Sequence, residues 1–117
     1  MRHRKNTNSL SRKSAPRRSL LKNLAESVIL YEKVTTTEAK ARVIRPIVER
    51  LITRSKNNDL ASRRYLLQRL PTNNSVKKLL EVLGPKYKDR PGGYTRITKV
   101  PARSGDGAKR ATIELVK

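Results

Sequence analysis

The sequence predicts an α/β chain of the α+β type. It has two layers, with helices packed on one face of a small mixed sheet, and a basic N-terminal extension. Three observations carry this prediction. Apolar residues recur at helical spacing in the first two-thirds of the chain, between helix start and stop signals. Short β-branched or alternating runs occur once early and twice after residue 93. The resulting order of helix, strand, three helices and two strands suits helices gathered on one side of a sheet. With 117 residues the chain has room for one domain. Leu, Ile and Val number 28, just above the roughly one-fifth below which a charged chain stays unfolded, so a thin core forms.

Taken in order, residues 1–13 read as a tail and 14–117 as a single globular domain. Residues 1–18 carry seven Lys and Arg and no acid, and Leu10 is the only sizeable aliphatic side chain there besides Met1. Such a segment cannot bury itself. The first helix is predicted to start at Ser14-Ala15-Pro16, with Ser14 as cap and Pro16 in the first turn. Its apolar stripe is Leu20, Leu21, Leu24, Val28 and Tyr31. Arg17, Arg18 and Lys22 crowd its N-terminal end, where cations oppose the helix dipole; that placement points to an external anion.

Val34-Thr35-Thr36 reads as a strand. Thr36 or Thr37 then caps a second helix with Glu38 in its first turn. Ile44, Ile47, Val48, Leu51, Ile52 and Ser55 form its stripe, interrupted by Pro46, which removes a backbone hydrogen bond and kinks the helix. Asn57-Asn58-Asp59 caps a third helix over 60–70, ended by Pro71. Residues 72–75 cap a fourth over 76–83, ended by Gly84-Pro85. A basic Pro/Gly loop over 86–93 leads into a strand over 94–100. A second loop carrying Gly105-Asp106-Gly107 precedes the last strand, 111–116. There Ala111, Ile113 and Leu115 alternate with Thr112, Glu114 and Val116. In the strand before it, Tyr94, Arg96, Thr98 and Val100 share one face, and the pattern does not say which face meets the core.

The charge balance narrows the function. Twenty-nine Lys and Arg against nine Asp and Glu leave a net charge of +20. Self-repulsion at that level opposes compaction, so an acidic partner stabilises the fold. Nucleic acid or an anionic membrane surface fits a pI near 11.3. No cysteine is present, which excludes disulfides and thiolate chemistry and fits a cytosolic setting. No apolar run approaches membrane-spanning length, so no membrane insertion is expected. His3 is the lone histidine and lies in the tail, so neither a Ser/His/Asp set nor a histidine metal site assembles. The glycines match no phosphate-binding loop. No cofactor, metal, small-molecule substrate or catalytic residue is expected, and the chain is read as a non-enzyme.

The tail admits a bland reading as solvated charge and another as a transit peptide. Basic residues continue through the folded part at Arg63-Arg64, Lys77-Lys78, Lys86, Lys88, Arg90, Arg96, Lys99, Arg103, Lys109 and Arg110, which favours an arm that orders on phosphates. Of the four tyrosines, Tyr31 reads as core, and Tyr65 suits either role beside Arg64. Tyr87 and Tyr94 stand next to basic residues. Four aromatics are too few for a stacking platform, so backbone and shape recognition of folded RNA is expected. A DNA-compacting protein is the alternative. A membrane-surface role ranks third, because the apolar stripes are better explained as core.

The residues also resemble a known family. Met1-Arg2-His3, Lys5, Leu10-Ser11-Arg12, Thr36-Thr37, Lys40-Ala41-Arg42, Glu49, Leu51-Ile52-Thr53, Ser55-Lys56, Arg63-Arg64, Leu83-Gly84-Pro85, Gly92-Gly93-Tyr94-Thr95-Arg96-Ile97, Gly105-Asp106 and Ile113-Glu114-Leu115-Val116 follow one another in the order and spacing of the L-seventeen family of bacterial large-subunit ribosomal proteins. Ser11 and Arg42 stand where Asn and Lys are commoner, and 71–78 matches no motif. The resemblance implies a structural role in the large ribosomal subunit, in the cytoplasm. It also implies binding to 23S rRNA near the peptide-tunnel exit, beside neighbouring large-subunit proteins, and a tail that belongs to the working protein. Charge and resemblance together select Arg2, His3, Arg4, Lys5, Arg12, Lys13, Arg17, Arg18, Lys40, Arg63, Arg64, Tyr94, Arg96 and Arg103 as RNA-binding candidates.

Overall fold

A computed structural model describes residues 13–116. Arg2, His3, Arg4, Lys5 and Arg12, and with them all of the expected tail but Lys13, lie outside the described residues. The elements are α1 (Ser14–Tyr31), β1 (Lys33–Thr37), α2 (Glu38–Ser55), α3 (Leu60–Arg69) and α4 (Asn73–Lys78). A π-helical segment, Leu79–Leu83, and a single helical turn, α5 (Gly84–Lys86), follow, then β2 (Thr95–Val100) and β3 (Arg110–Leu115). The α+β class and the element order match the sequence prediction.

The sheet order is β1-β3-β2, and both pairings are antiparallel, so the sheet is antiparallel throughout rather than mixed. Register fixes which side faces inward. Val34 lies opposite Ile113, which lies opposite Ile97, and Leu115 opposite Thr95; this row meets the helices. The other face carries Lys33, Glu114 and Arg96, then Thr35, Thr112 and Thr98, with Thr35 and Thr112 sharing a hydroxyl hydrogen bond of 2.9 Å. The face left open by sequence is thereby settled: Thr95 and Ile97 turn to the core, and Arg96 and Thr98 to solvent.

α2 is the central helix of the core. Thr37 caps it, its hydroxyl accepting from the Lys40 N–H at 3.4 Å, and Glu38 sits in the first turn. Ile44, Val48, Leu51, Ile52 and Ser55 are buried as the stripe requires. Asp59 caps α3, accepting from the Ser62 N–H at 2.8 Å. That bond to the ionised carboxylate holds the Asp59 acid below its ordinary range.

Several expectations are corrected. Ser14 lies within α1, not at its cap. Lys13 occupies the cap position and supplies no side-chain acceptor, so the first turn is unbonded by side chains and bears no acid. The buried stripe of α1 is Ala25, Val28 and Ile29, with Leu21 and Leu24 packed alongside. Tyr31 is not core but 73% exposed. It is the last residue of the helix, and Glu32 reverses the chain in a left-handed conformation at φ 63°, so Tyr31 is carried to the outside.

Gly84-Pro85 does not end the fourth helix. The chain stays helical through Lys86, because the preceding turn widens to π form with the Gly84 N–H bonded to the Leu79 carbonyl. The wider turn relieves the clash between a proline ring and the carbonyl four residues back. Tyr94 lies just ahead of β2 rather than in it. Gly93 takes φ +64°, a conformation only glycine adopts freely, and this swings the tyrosine ring inward.

Candidate nucleic-acid interface

With nine carboxylates among 29 cations, where the acids go decides which cations remain available. Glu114 holds Arg96 across the β2–β3 pair, with 2.9 Å between the closest atoms. Asp106 holds Arg103 in a two-pronged contact of 2.9 and 2.6 Å. Glu38 holds Arg42, with Lys99 at 4.0 Å, and Glu49 faces Arg45 at 3.6 Å. Glu32 gathers Lys78 and Lys86 at 3.7 and 3.9 Å. The Asp106 acid is held well below the usual carboxylate range, first by Arg103 and then by the Ala108 N–H, while Arg103 is pushed up by the same contact.

Two further arginines spend themselves on backbone: Arg90 donates to the Gly93 carbonyl at 3.3 Å and Arg110 to the Pro101 carbonyl at 3.2 Å. Six of the thirteen described arginines (Arg42, Arg45, Arg90, Arg96, Arg103 and Arg110) therefore have an internal acceptor. Among the described residues the other seven have none: Arg17 and Arg18 on α1, Arg50 and Arg54 on α2, and Arg63, Arg64 and Arg69 on α3. All seven lie on α1–α3, of which α2 also carries the paired Arg42 and Arg45. A guanidinium without an internal acceptor keeps all its donors for an outside oxygen.

Tyr65 organises the centre of this side. It is half-buried on α3, with the Arg69 guanidinium 3.8 Å and that of Arg54 5.1 Å from its ring centre. Two clefts meet at Tyr65 and Arg50. One, of about 280 Å³, lies between α1, α2 and α3. The other, of about 610 Å³, runs along α2 to Pro91 and Gly92.

The expected residues therefore divide. Arg17, Arg18, Arg63 and Arg64 are available on the helical side, and Lys13 is exposed at the start of α1. Lys40 is half-buried in the first turn of α2. Arg96 and Arg103 are exposed but already paired. Tyr94 is a core residue. It is 0% exposed, its ring meets Tyr87 at 5.1 Å, and Lys56 lies 4.7 Å over it. Its hydroxyl donates to the Arg90 carbonyl and accepts from Thr53, both at 3.2 Å. The ring has no surface left for a base. Arg50, Arg54 and Arg69 were missed. Their signal was spacing: Arg50 and Arg54 stand one turn apart on α2, as do Tyr65 and Arg69 on α3.

Among the described residues no group of His, Cys, Asp or Glu is placed to hold a metal ion, and no helix is long and apolar enough to cross a membrane. The family model described as Ribosomal protein L17 matches residues 20–116. Full-length similarity is equally clear. The chain is 48% identical over 118 residues to the large ribosomal subunit protein bL17 of Hydrogenobaculum sp. (strain Y04AAS1), covering all of both chains. It is 51% identical over 116 residues to that of Solibacter usitatus (strain Ellin6076), covering 99% of this chain and 77% of the relative. For Thermomicrobium roseum (strain ATCC 27502 / DSM 5159 / P-2) the figures are 47% over 116 residues and 99% of each chain. This chain belongs to the ribosomal protein L17 family, a family of structural and non-enzymatic proteins.

Proposed function

We propose that this chain is a structural constituent of the large ribosomal subunit in the cytoplasm. In this reading it binds 23S rRNA near the peptide-tunnel exit, among neighbouring ribosomal proteins, by neutralising phosphates and fitting RNA shape. The observation that carries the reading is the distribution of arginines: among the described residues the seven without an internal acceptor all lie on α1–α3, whereas the six engaged ones are Arg42 and Arg45 in the N-terminal half of α2 and Arg90, Arg96, Arg103 and Arg110 in the C-terminal loops and strands. Arginine forks onto two phosphate oxygens, which suits a folded RNA backbone. The start of α1 adds to it, with no acid, no side-chain cap, and Arg17 and Arg18 in or beside its first turn. In sequence, Arg2, His3, Arg4, Lys5, Arg12 and Lys13 precede that helix start, and their five cations together with His3 are proposed to bind RNA with it. Lys40 contributes charge at the start of α2. Arg96 and Arg103 contribute less, because each brings its own carboxylate to the phosphate.

Competition between 23S rRNA fragments and long duplex DNA at physiological salt tests the proposal. Strong preference for one rRNA site is expected; equal affinity for any duplex supports a DNA-compacting protein instead. Removing residues 2–13 is expected to lower rRNA affinity and flatten its salt dependence while leaving the thermal transition in place. Stoichiometric sedimentation with the large subunit after a high-salt wash is the expected cellular counterpart.

A further inference from the structure

The smaller cleft on the helical side has a makeup that phosphate neutralisation does not explain. Its floor is apolar. Ala25 of α1 and Leu51 of α2 are buried at the bottom, and Leu21 and Ile47 line it, each half-buried. Around the mouth stand four exposed cations, Arg18, Lys22, Arg50 and Arg69, none of which forms an ion pair among the described residues. Tyr65 forms one wall, steadied by the Arg69 guanidinium at 3.8 Å from its ring centre. A surface that bound only phosphate oxygens would have no use for an aliphatic floor. A surface that bound only apolar side chains would not be ringed by four like charges.

We propose that this slot accepts a single unstacked RNA base, with the phosphates on either side of that nucleotide held by the four cations. The inference rests on the RNA-binding reading above and adds to it one defined nucleotide site. Size argues for a base. The volume of about 280 Å³ lies at the lower edge of the roughly 300–1,000 Å³ of small-molecule pockets. That is room for one flat group. A partner helix lying in a groove needs a row of anchors at successive turns, and the slot has space for one. Charge argues the same way: a nucleotide couples one apolar, planar group to anions on both sides, matching an apolar floor within a cationic rim. Edge or face contact with Tyr65 and stacking on Arg69 suit any of the four bases, so the slot recognises an unpaired nucleotide rather than a sequence.

Backbone NMR of the full ¹⁵N-labelled chain, titrated separately with adenosine 5′-monophosphate, inorganic phosphate and adenosine, tests this directly. The monophosphate is expected to shift the amides of Leu21, Ala25, Arg50 and Tyr65 and to bind roughly tenfold tighter than inorganic phosphate, the gain a stacked base supplies. Equal affinity for the two would mark an ordinary anion patch and overturn the proposal. Tighter binding of an acidic Leu/Glu-rich helical peptide at the same amides would also overturn it. Leu21→Trp fills the slot from a half-buried position. It is expected to abolish the nucleotide shifts and lower 23S rRNA affinity about tenfold with an unchanged circular dichroism spectrum. Arg50→Gln leaves the floor intact and is expected to weaken the monophosphate severalfold, so the slot remains testable if the tryptophan variant does not fold. If both variants bind 23S rRNA like the parent, the slot is wrong and the RNA reading stands. If the parent itself does not prefer 23S rRNA over duplex DNA, the functional reading fails, and the nucleotide titration still decides the slot.

Discussion

Substituting Gly84 by alanine sets two opposed effects against each other, and the structure says which wins. Gly84 has ordinary helical angles, φ −56° and ψ −55°, so its backbone tolerates any residue. In an exposed helix the change to alanine would stabilise by about 1 kcal/mol. Here an added Cβ would stand 2.6 Å from the Ser55 carbonyl oxygen at the end of α2 and 3.0 Å from that of Leu79. Ordinary contact begins near 3.4 Å, so the two helical segments must part by 3.4 − 2.6, roughly 0.8 Å. Both obstructing atoms are backbone and cannot rotate away. A gap of that size forfeits about a quarter to a half of the attraction along the seam where Leu80 and Leu83 are packed into the core. Overpacking of this kind costs about 1–3 kcal/mol. Because the nearest obstructing atom is backbone at 2.6 Å, the upper part of that range applies, about 2–3 kcal/mol. Less the propensity gain of about 1 kcal/mol, the net loss is about 1–2 kcal/mol, or a fall in Tm of about 5–10 °C for a domain of this size. Thermal melting followed by circular dichroism reads it. Gly92→Ala is the control: nothing lies within 4 Å of its added Cβ, and it is expected to melt like the parent. A Gly84→Ala protein that melts at or above the parent would refute the close-approach argument.

Other outcomes follow from the contacts described. Tyr94→Phe removes a hydroxyl bonded to Thr53 and to the Arg90 carbonyl, and is expected to cost about 1 kcal/mol in a denaturant melt with rRNA affinity unchanged. A large affinity loss at full stability would return Tyr94 to the interface. Arg64→Ala is expected to weaken rRNA binding and lower the salt slope by about 1, whereas Arg96→Ala, which breaks the exposed pair with Glu114, changes both less. Filter binding across a salt series compares the two. Full use of the seven arginines without internal acceptors predicts an overall slope of about −5 to −6 from that side. Asp59 has a folded-state pKa below its unfolded value, so its cap stabilises α3 above the ordinary value of 3.8 and that contribution is lost as pH falls through the lowered value. Hydrogen exchange of the α3 amides is expected to rise in that acid range, and Asp59→Asn is expected to remove the pH dependence.

Periodicity was a good guide where one helix face meets one core. The α2 stripe from Ile44 to Ser55 lies as its spacing requires, and the Thr37 and Asp59 caps sit where short polar side chains precede helical runs. It misled at element ends. Tyr31 keeps the spacing of a stripe that has already run past the core, and Glu32 turns the chain away. Gly84-Pro85 carries a stop signal that a π turn overrides, a tertiary accommodation invisible to local rules. At Tyr94, alternation was counted from one residue before the strand begins, which grouped a core ring with the solvent-facing Arg96 and Thr98 and left the face undecided. For the interface, total charge was legible and its distribution was not. Which arginines remain available depends on where nine carboxylates land in three dimensions. The pairing of Arg96 with Glu114 is a matter of sheet register, and the meeting of Arg18, Arg50 and Arg69 is a matter of helix packing.

The β1-β3-β2 order also bears on how the chain is made. β3 is the central strand, yet it follows every other element in the chain. Until residues 110–115 have left the ribosome that synthesises them, β1 and β2 have no strand to bond to and the helices lack the surface that completes their core. Domains otherwise tend to form from the N-terminal side as they emerge. This one must wait for its last segment and close through long-range pairing, which is slow. During that interval a strongly cationic, half-built chain stands exposed to every polyanion near it.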